Sequence, residues 1–266
     1  MAKFLRFERP GATGWGVVQG QRVEALSAAP WAGGRPTGVS YDLAEVRLLA
    51  PSQPSKIVCL GRNYRAHAAE LGNEPPREPL IFLKPPSAVI GPEEPIVWPP
   101  QSNRVDYEGE LALVIGRRCR TLTAEDNALD YVFGYTCRND VTARDLQKAD
   151  GQFTRSKGFD SFCPLGPMVA TDLQVQNLII ETYVNGERRQ RGSVGEMIFP
   201  LDVIIRYVAS VMTLEPGDVI ATGTPAGVGP LRAGDIVEVV IEGIGRLRNP
   251  VVAALDDGRQ FSSCGR

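Results

Sequence analysis

The run VDYEGELALVIG, Val105 to Gly116, reads as a β-strand, and its alternation limits what the chain can build around it. Alternate side chains of a strand share a face, which puts Asp106, Glu108, Glu110, Ala112 and Val114 on one side. Val105, Tyr107, Gly109, Leu111, Leu113 and Ile115 take the other, and that side is plainly core. The first side turns apolar after Glu110, so it too is expected to meet protein. Carboxylates crowded into a semi-enclosed place need protons or a cation, and a divalent metal would satisfy Glu108 and Glu110 together. An ordinary half-buried strand with one solvated face shows the same alternation, so periodicity leaves both readings open.

At 266 residues and 43% hydrophobic, the chain is long enough for one large core, or for a main domain with a small appendage. Its 29 basic and 31 acidic residues form no long single-sign run, so neither nucleic acid nor an anionic membrane is implied as a partner. The start, MAKFLRFERPG, interrupts its apolar stretch with charges, and no segment approaches the ~20 apolar residues of a membrane span. A cytoplasmic protein is expected. The cysteines, Cys59, Cys119, Cys137, Cys163 and Cys264, are odd in number and lack metal-ligand spacing, as reduced thiols would be.

Residues 2–25 read as three short strands, KFLRFE, WGVVQG and RVEAL, separated by turns. A Pro/Gly-rich stretch from Pro30 to Gly38 and the Pro51–Pro54 segment then separate this meander from the strand KIVCL. The expected division is a small N-terminal β domain, 1–51, and a main domain, 52–266. Within the main domain most segments are short and β-like. Among the few helices, residues 200–212 stand out, with Pro200 in the first turn and an apolar stripe of Val203, Ile204, Val208, Val211 and Met212. Shorter helices are expected after Asn63, Thr123 and Thr142, with Thr123 and Asp126 as a capping box. Asn185-Gly186 predicts a hairpin turn. Regular βαβ alternation is missing, so a predominantly β, α+β domain is expected rather than a doubly wound sheet.

Three further segments carry candidate chemistry. His67, the only histidine, lies three residues before Glu70 on a short helix that Asn63 could cap and Gly72 could end. On such a helix the carboxylate could orient the imidazole and fix its tautomer, although a surface His–Glu pair has the same spacing. Asp140 lies where the strand YVFGYTC ends, placed to project into a cavity, or else to be a loop acid; Arg155 and Lys157 supply cations nearby. The loop Thr222–Gly229 offers backbone N–H groups and hydroxyls for a carboxylate, or is a plain tight turn. It lacks the endings of a phosphate loop and the glycine spacing of a dinucleotide fold.

The order GRNYRAH, FLKPPSAV, DYEGELALVIG, GYTCRNDVTARD, SKGFDSFCPLGP, VNGERRQ, LEPGDVIATGTPAGVG and GDIVEVVIEGIG resembles the fumarylacetoacetate hydrolase family from about Lys56 to Val251. The resemblance implies a rolled, mixed β-sandwich, usually in a homodimer, with a Mg²⁺ or Mn²⁺ site that Ca²⁺ can fill in a crystal. By the same resemblance, Glu108, Glu110 and Asp140 are the metal ligands, and His67 and Glu70 are the base and its partner. Lys157 and Thr224, with the adjoining Gly223, fall at substrate-contacting positions, and Arg144 and Gln147 lie near the site. Asp106 has no assigned metal role.

Three hard oxygen ligands suit Mg²⁺ or Mn²⁺ and leave positions for water and a chelating 2-oxo acid or dicarbonyl substrate. The metal would act as a Lewis acid on an enolate, and His67 could activate water for C–C hydrolysis of an acylpyruvate. Lys157 would stabilise negative charge. The same apparatus serves decarboxylation or tautomerisation of oxaloacetate and isomerisation of a 2-hydroxy-diene diacid. Arg62, Arg65 and Arg138 would favour a diacid if they face the cleft. A catalytically silent, metal-stabilised binding protein is the non-enzymatic alternative.

Overall fold

The structure, a computed structural model, describes residues 1–254; Cys264 and the rest of the C-terminal tail lie outside the described residues. The chain is mostly strand, in mixed sheets. The largest sheet runs in the order Pro36–Asp42, Arg22–Leu26, Ala12–Gln19, Lys3–Arg9, Cys163–Ala170, Val132–Asn139, Gly109–Ile115, Val219–Ala221, Ile57–Gly61, Leu80–Lys84. Nearly all of its neighbours are antiparallel, with Val219–Ala221 and Ile57–Gly61 parallel. A second sheet orders Glu187–Ser193, Ile179–Val184, Ile236–Ile241, Gly245–Ala253 and Ile96–Trp98.

The central strand Gly109–Ile115 is buried on both faces, as its sequence requires. Leu111, Leu113 and Ile115 join a core with Ile180, Val239 and Ile241 of the second sheet and with the helix Leu201–Val211. On the opposite face Ala112 packs with Ile57, Cys59, Cys163, Leu165, Val219 and Ala221. The sandwich thus has this strand at its centre. The hairpin at Asn185-Gly186 forms with both residues at positive φ, +53° and +80°, which matches the twist of the strands it joins. Cys59, Cys119, Cys137 and Cys163 are buried free thiols.

Several local expectations are corrected. The Pro30–Gly38 stretch is no simple spacer, because Pro36–Asp42 forms an outer strand paired with Arg22–Leu26. Its proline sits on a sheet edge, where a missing N–H costs little. The N-terminal strands continue the main sheet through Lys3–Arg9 and Cys163–Ala170. Thr123 donates its N–H and O–H to Asp126 at 2.7 and 2.8 Å, yet no helix follows. The chain turns instead into a single 3₁₀ segment, Ala128–Tyr131, capped by Asn127. Thr142 joins a short strand with Ala143, and the helix begins at Arg144.

Among the described residues the four α-helices are Arg65–Glu70 (α1), Arg144–Asp150 (α2), Phe153–Lys157 (α3) and Leu201–Val211 (α4). Pro200 is the N-cap of α4 rather than part of its first turn. The buried face of α4 is Leu201, Ile204, Ile205, Val208 and Ala209, whereas Val203 and Val211 are 38% and 57% exposed. The i, i+3, i+4 pattern is met twice in this helix, and the set centred on Ile204 and Ile205 is the one that reaches the core. Ile204→Ala should therefore cost roughly 2–5 kcal/mol, and Val203→Ala should stay within about 0.5 kcal/mol, by urea denaturation. Comparable losses from the two would contradict this orientation.

Candidate active site

Two neighbouring strands bring the acids together. Glu110 lies directly opposite Arg138 in the antiparallel ladder. Beyond the strand end, the Asp140 N–H donates to the Glu108 carbonyl at 2.8 Å, so the pairing continues. Residues two apart share a face, and Glu108 and Glu110 thus meet Arg138 and Asp140 on one side. Ligand oxygens of Glu108, Glu110 and Asp140 all lie within 4.8 Å of one another, and all three residues are buried. Glu108 falls at a break between the Val105–Tyr107 and Gly109–Ile115 strands, and its own N–H is held by the Asn139 Oδ1 at 2.9 Å.

The glycine between the two glutamates has a steric cause. A Cβ on Gly109 would lie 2.0 Å from the Thr182 hydroxyl of the second sheet. The space also belongs to Gln190, whose Oε1 accepts the Gly109 N–H at 2.9 Å. Gln190 in turn donates to the Thr224 hydroxyl at 2.8 Å, and Thr224 donates to the Gly109 carbonyl at 2.7 Å. The Thr222–Gly229 loop is therefore tied to the backbone of the acid-bearing strand.

Four buried cations surround the acids. Lys157 donates to Glu108 at 3.0 Å, Asp140 at 2.7 Å and the Thr142 hydroxyl at 2.8 Å, which uses all three of its N–H bonds. Arg144 donates from Nε to Asp106 at 2.9 Å, from Nη2 to Glu108, and from Nη1 to the Gln147 Oε1 at 2.6 Å. Arg138 pairs with Glu110 and, at 2.9 Å, with Asp140, flanked by the sulfurs of Cys59 and Cys163 at 3.3 Å. Lys84 pairs with Asp140 and donates to the carbonyls of Val141 and Phe162 at 3.0 and 2.6 Å. Arg138 and Lys84 are fully enclosed. Arg138 does not face the cleft, the condition on which it would favour a diacid, because its guanidinium is consumed by the acids behind the cavity. Arg65 is exposed on the first turn of α1.

This arrangement splits the carboxylates electrostatically. Burial pushes Glu108 up, but Lys157 and Arg144 outweigh it and bring the group down to about 2. Asp140 follows the same logic and stays well below the usual carboxylate range, burial being outweighed by Arg138, Lys157 and Lys84. Glu110 goes the other way: burial, opposed chiefly by Arg138 and reinforced by Asp140 and Glu108, raises it to about 8. Lys157 is held above its ordinary value, since Asp140 and Glu108 overcome its burial.

A cavity of about 200 Å³ opens in front of the acids. Glu108, Glu110, Lys157, Arg144, Gln147 and Thr224 line it, together with His67, Arg62, Asn73, Phe82 and Phe153. His67 is 4% exposed, and its Nδ1 lies 3.3 Å from the Glu70 carboxylate. Glu70 also accepts from the Gly227 N–H at 3.1 and 3.2 Å, which fastens α1 to the Thr222–Gly229 loop. The N-cap of α1 is Tyr64, not Asn63. Asn63 instead holds the Phe199 N–H at 2.8 Å and the Thr222 carbonyl at 2.9 Å. Gly223 does not line the cavity. With φ of +90° and Asn63 underneath it, its part is to turn the loop so that Thr224 does.

Lys84 and Asp106 are site residues that sequence reasoning left without a part, and of the three arginines weighed for a diacid Arg62 is the one that lines the cavity. Asp106 shares Arg144 with Glu108 and is fully buried, so it positions the guanidinium. A lysine in the apolar strand LIFLK was a readable signal; its partner, 56 residues away, was not.

A sequence model of the fumarylacetoacetate (FAA) hydrolase C-terminal domain matches residues 56–252. The chain belongs to the fumarylacetoacetate hydrolase family. A second model, the Rv2993c-like N-terminal domain, matches residues 2–51. Protein Rv2993c of Mycobacterium tuberculosis is 52% identical over 81% of this chain and 82% of its own length. The oxaloacetate tautomerase YisK of Bacillus subtilis is 46% identical over 79% of the chain and 75% of its own length. The crystal structure of 5-carboxymethyl-2-hydroxymuconate delta-isomerase from Mycobacterium smegmatis superposes with a TM-score of 0.88 at 44% identity, covering 94% of this chain and 99% of that one. No helix among the described residues is long and apolar enough to cross a membrane.

Family members generally bind a divalent metal, and the donor set here fits one. Each carboxylate oxygen has two lone pairs, so oxygens already bonded to Lys157, Arg138 or Arg144 can still accept a cation. A proton on Glu110 competes with that cation. Because Glu110 stands at about 8, the metal-free site is protonated there below pH 8, and metal affinity should rise with pH up to that point. Calorimetric Mg²⁺ titration at pH 6 and pH 8.5 should show tighter binding at the higher pH, with proton release near pH 7. Glu110→Gln should weaken binding at least tenfold. Equal affinity at both pH values, or an unweakened variant, would remove Glu110 from the ligand set.

Proposed function

We propose that this protein is a Mg²⁺- or Mn²⁺-dependent enzyme that moves a proton at the carbon beside the keto group of a small 2-oxo acid, with keto–enol tautomerisation of oxaloacetate as its reaction. The observation that carries this reading is His67. The chain's sole histidine stands in the wall of the cavity that Glu108 and Glu110 also line, with Glu70 on its Nδ1. A cation held by Glu108, Glu110 and Asp140 would supply Lewis-acid polarisation of the acid's carboxylate and keto oxygens. The oxygen donor set suits those two hard ions.

The protein's own groups would do the rest. Glu70 fixes His67 with its proton on Nδ1, which leaves Nε2 as a base. Nε2 takes a proton from the carbon next to the ketone; the C–H electron pair becomes the C=C bond, and the carbonyl π pair moves to oxygen. The proton held on Nε2 is passed to that oxygen through solvent, which completes the enol and returns His67 to its neutral form. Lys157 and Arg144 keep positive charge beside the developing oxyanion while holding Glu108 and Asp140 in place. Thr224 and Gln147 offer polar groups from the other walls. The tautomerase name carried by a relative of 46% identity supports this choice among the reactions one enolising site can run.

The test is a product-resolved panel of oxaloacetate, an acylpyruvate and a 2-hydroxy-diene diacid, followed with and without EDTA and added Mg²⁺ or Mn²⁺. Oxaloacetate should interconvert between keto and enol forms in a metal-dependent way. His67→Ala should lower that rate on the order of 100-fold or more, with the fold retained. Release of pyruvate from the acylpyruvate would instead assign C–C hydrolysis, the expectation from sequence, to the same base acting through water. Unchanged tautomerisation by His67→Ala would eliminate the mechanism.

A further inference from the structure

Arg62 is a cavity-lining cation that the acid cluster does not use; the other is Lys148, which is exposed on α2. It follows Gly61 at the end of the Ile57–Gly61 strand and sits at φ +58°, the left-handed region that a non-glycine residue adopts only against a steric penalty. That bend breaks the strand's alternation where the cavity begins, and the Arg62 side chain lines the cavity with His67, Glu108, Glu110, Lys157 and Thr224. Its Nη1 donates to the Asn73 Oδ1 at 2.6 Å. Asn73 is itself anchored, by its N–H to the Ala68 carbonyl at 2.9 Å and its side chain to the Leu71 carbonyl at 3.1 Å. One arm of the fork is thus fixed by a neutral partner. The Nε is buried with no hydrogen-bond partner, and Arg62 has no carboxylate partner among the described residues.

The charge balance behind the cavity points the same way. Asp106, Glu108, Glu110 and Asp140 are four buried carboxylates, and Lys84, Arg138, Arg144 and Lys157 are four buried cations bonded to them. The two sets cancel when all eight are ionised, so a bound divalent cation leaves two positive charges unmatched, to which Arg62 and the exposed Lys148 on the cavity wall add. A monocarboxylic 2-oxo acid would bring one negative charge to this place. A dicarboxylic one brings two, the second of them free to reach an unpaired guanidinium.

We propose that Arg62 receives the distal carboxylate of a dicarboxylic 2-oxo acid and so makes the site selective for diacids over monoacids of the same length. This rests on the 2-oxo acid reading above, but its test does not require turnover. Binding to the Mg²⁺-loaded full chain is measured by calorimetry for two matched pairs, oxaloacetate against 2-oxobutanoate and 2-oxoglutarate against 2-oxopentanoate, which differ only in the distal group. The wild type should bind the diacid of at least one pair ten times more tightly or better. Arg62→Gln, which can keep a hydrogen bond to Asn73, should bring that ratio close to one while leaving the monoacid affinity within about twofold.

A wild type without preference for either diacid overturns the proposal, and that measurement needs no variant to fold. An Arg62→Gln protein with an unchanged ratio also overturns it, as does one that loses diacid and monoacid equally, since that marks a packing role. A silent tautomerase assay alongside a ratio that depends on Arg62 would defeat the reaction assignment and leave this inference standing.

Discussion

Asp140 is 1% exposed and accepts hydrogen bonds from three cations, Lys84, Arg138 and Lys157, each of which reaches it from a different element. An isolated carboxylate could not be buried ionised at tolerable cost, and neither could any of the three cations. They are stable there only as a set. The strands Leu80–Lys84 and Val132–Asn139, helix α3 and the loop after Asn139 must therefore all be in place before any one of these side chains is satisfied. The same set fixes the oxygen atoms of Glu108 and Asp140 from behind, so the cavity meets a rigid group of donors.

The rest of the architecture serves this cluster. The second sheet comes so close that only glycine fits between Glu108 and Glu110, with the Thr182 hydroxyl filling the place of a side chain. Gln190 and Thr224 then bond to that glycine's backbone, so the sheet-to-sheet packing also positions the loop forming another cavity wall. Glu70 links the loop to α1 through Gly227, and α1 carries His67. Packing, loop placement and base orientation are in this sense one connected structure.

Features set by short-range pattern were legible in the sequence. The central strand's two covered faces, the Asn185-Gly186 hairpin and the three-residue step between His67 and Glu70 all follow from local periodicity. Glu108 and Glu110 could be placed on one face for the same reason, whereas Asp140 joined them only through the family resemblance. What escaped reading was decided by partners distant in sequence. Nothing local says that Lys84 ends beside Asp140, that Arg138 is sealed behind the acids, or that Asn63 ties two loops instead of capping a helix. On α4 two overlapping apolar stripes satisfy the same spacing, and tertiary packing chose the one through Ile205. Arg62 was visible as a cation, but its lack of a carboxylate partner appears only once Lys84, Arg138, Arg144 and Lys157 are seen to be spent on the acids.

The proposed chemistry depends on Glu108, Glu110 and Asp140 holding one cation beside the cavity that His67 lines. Anomalous diffraction at the manganese edge from crystals soaked in Mn²⁺ tests it most directly. A strong peak is expected among those three carboxylates, within bonding distance of an oxygen from each. A site that stays empty at saturating Mn²⁺, or a peak held by other residues, would contradict it.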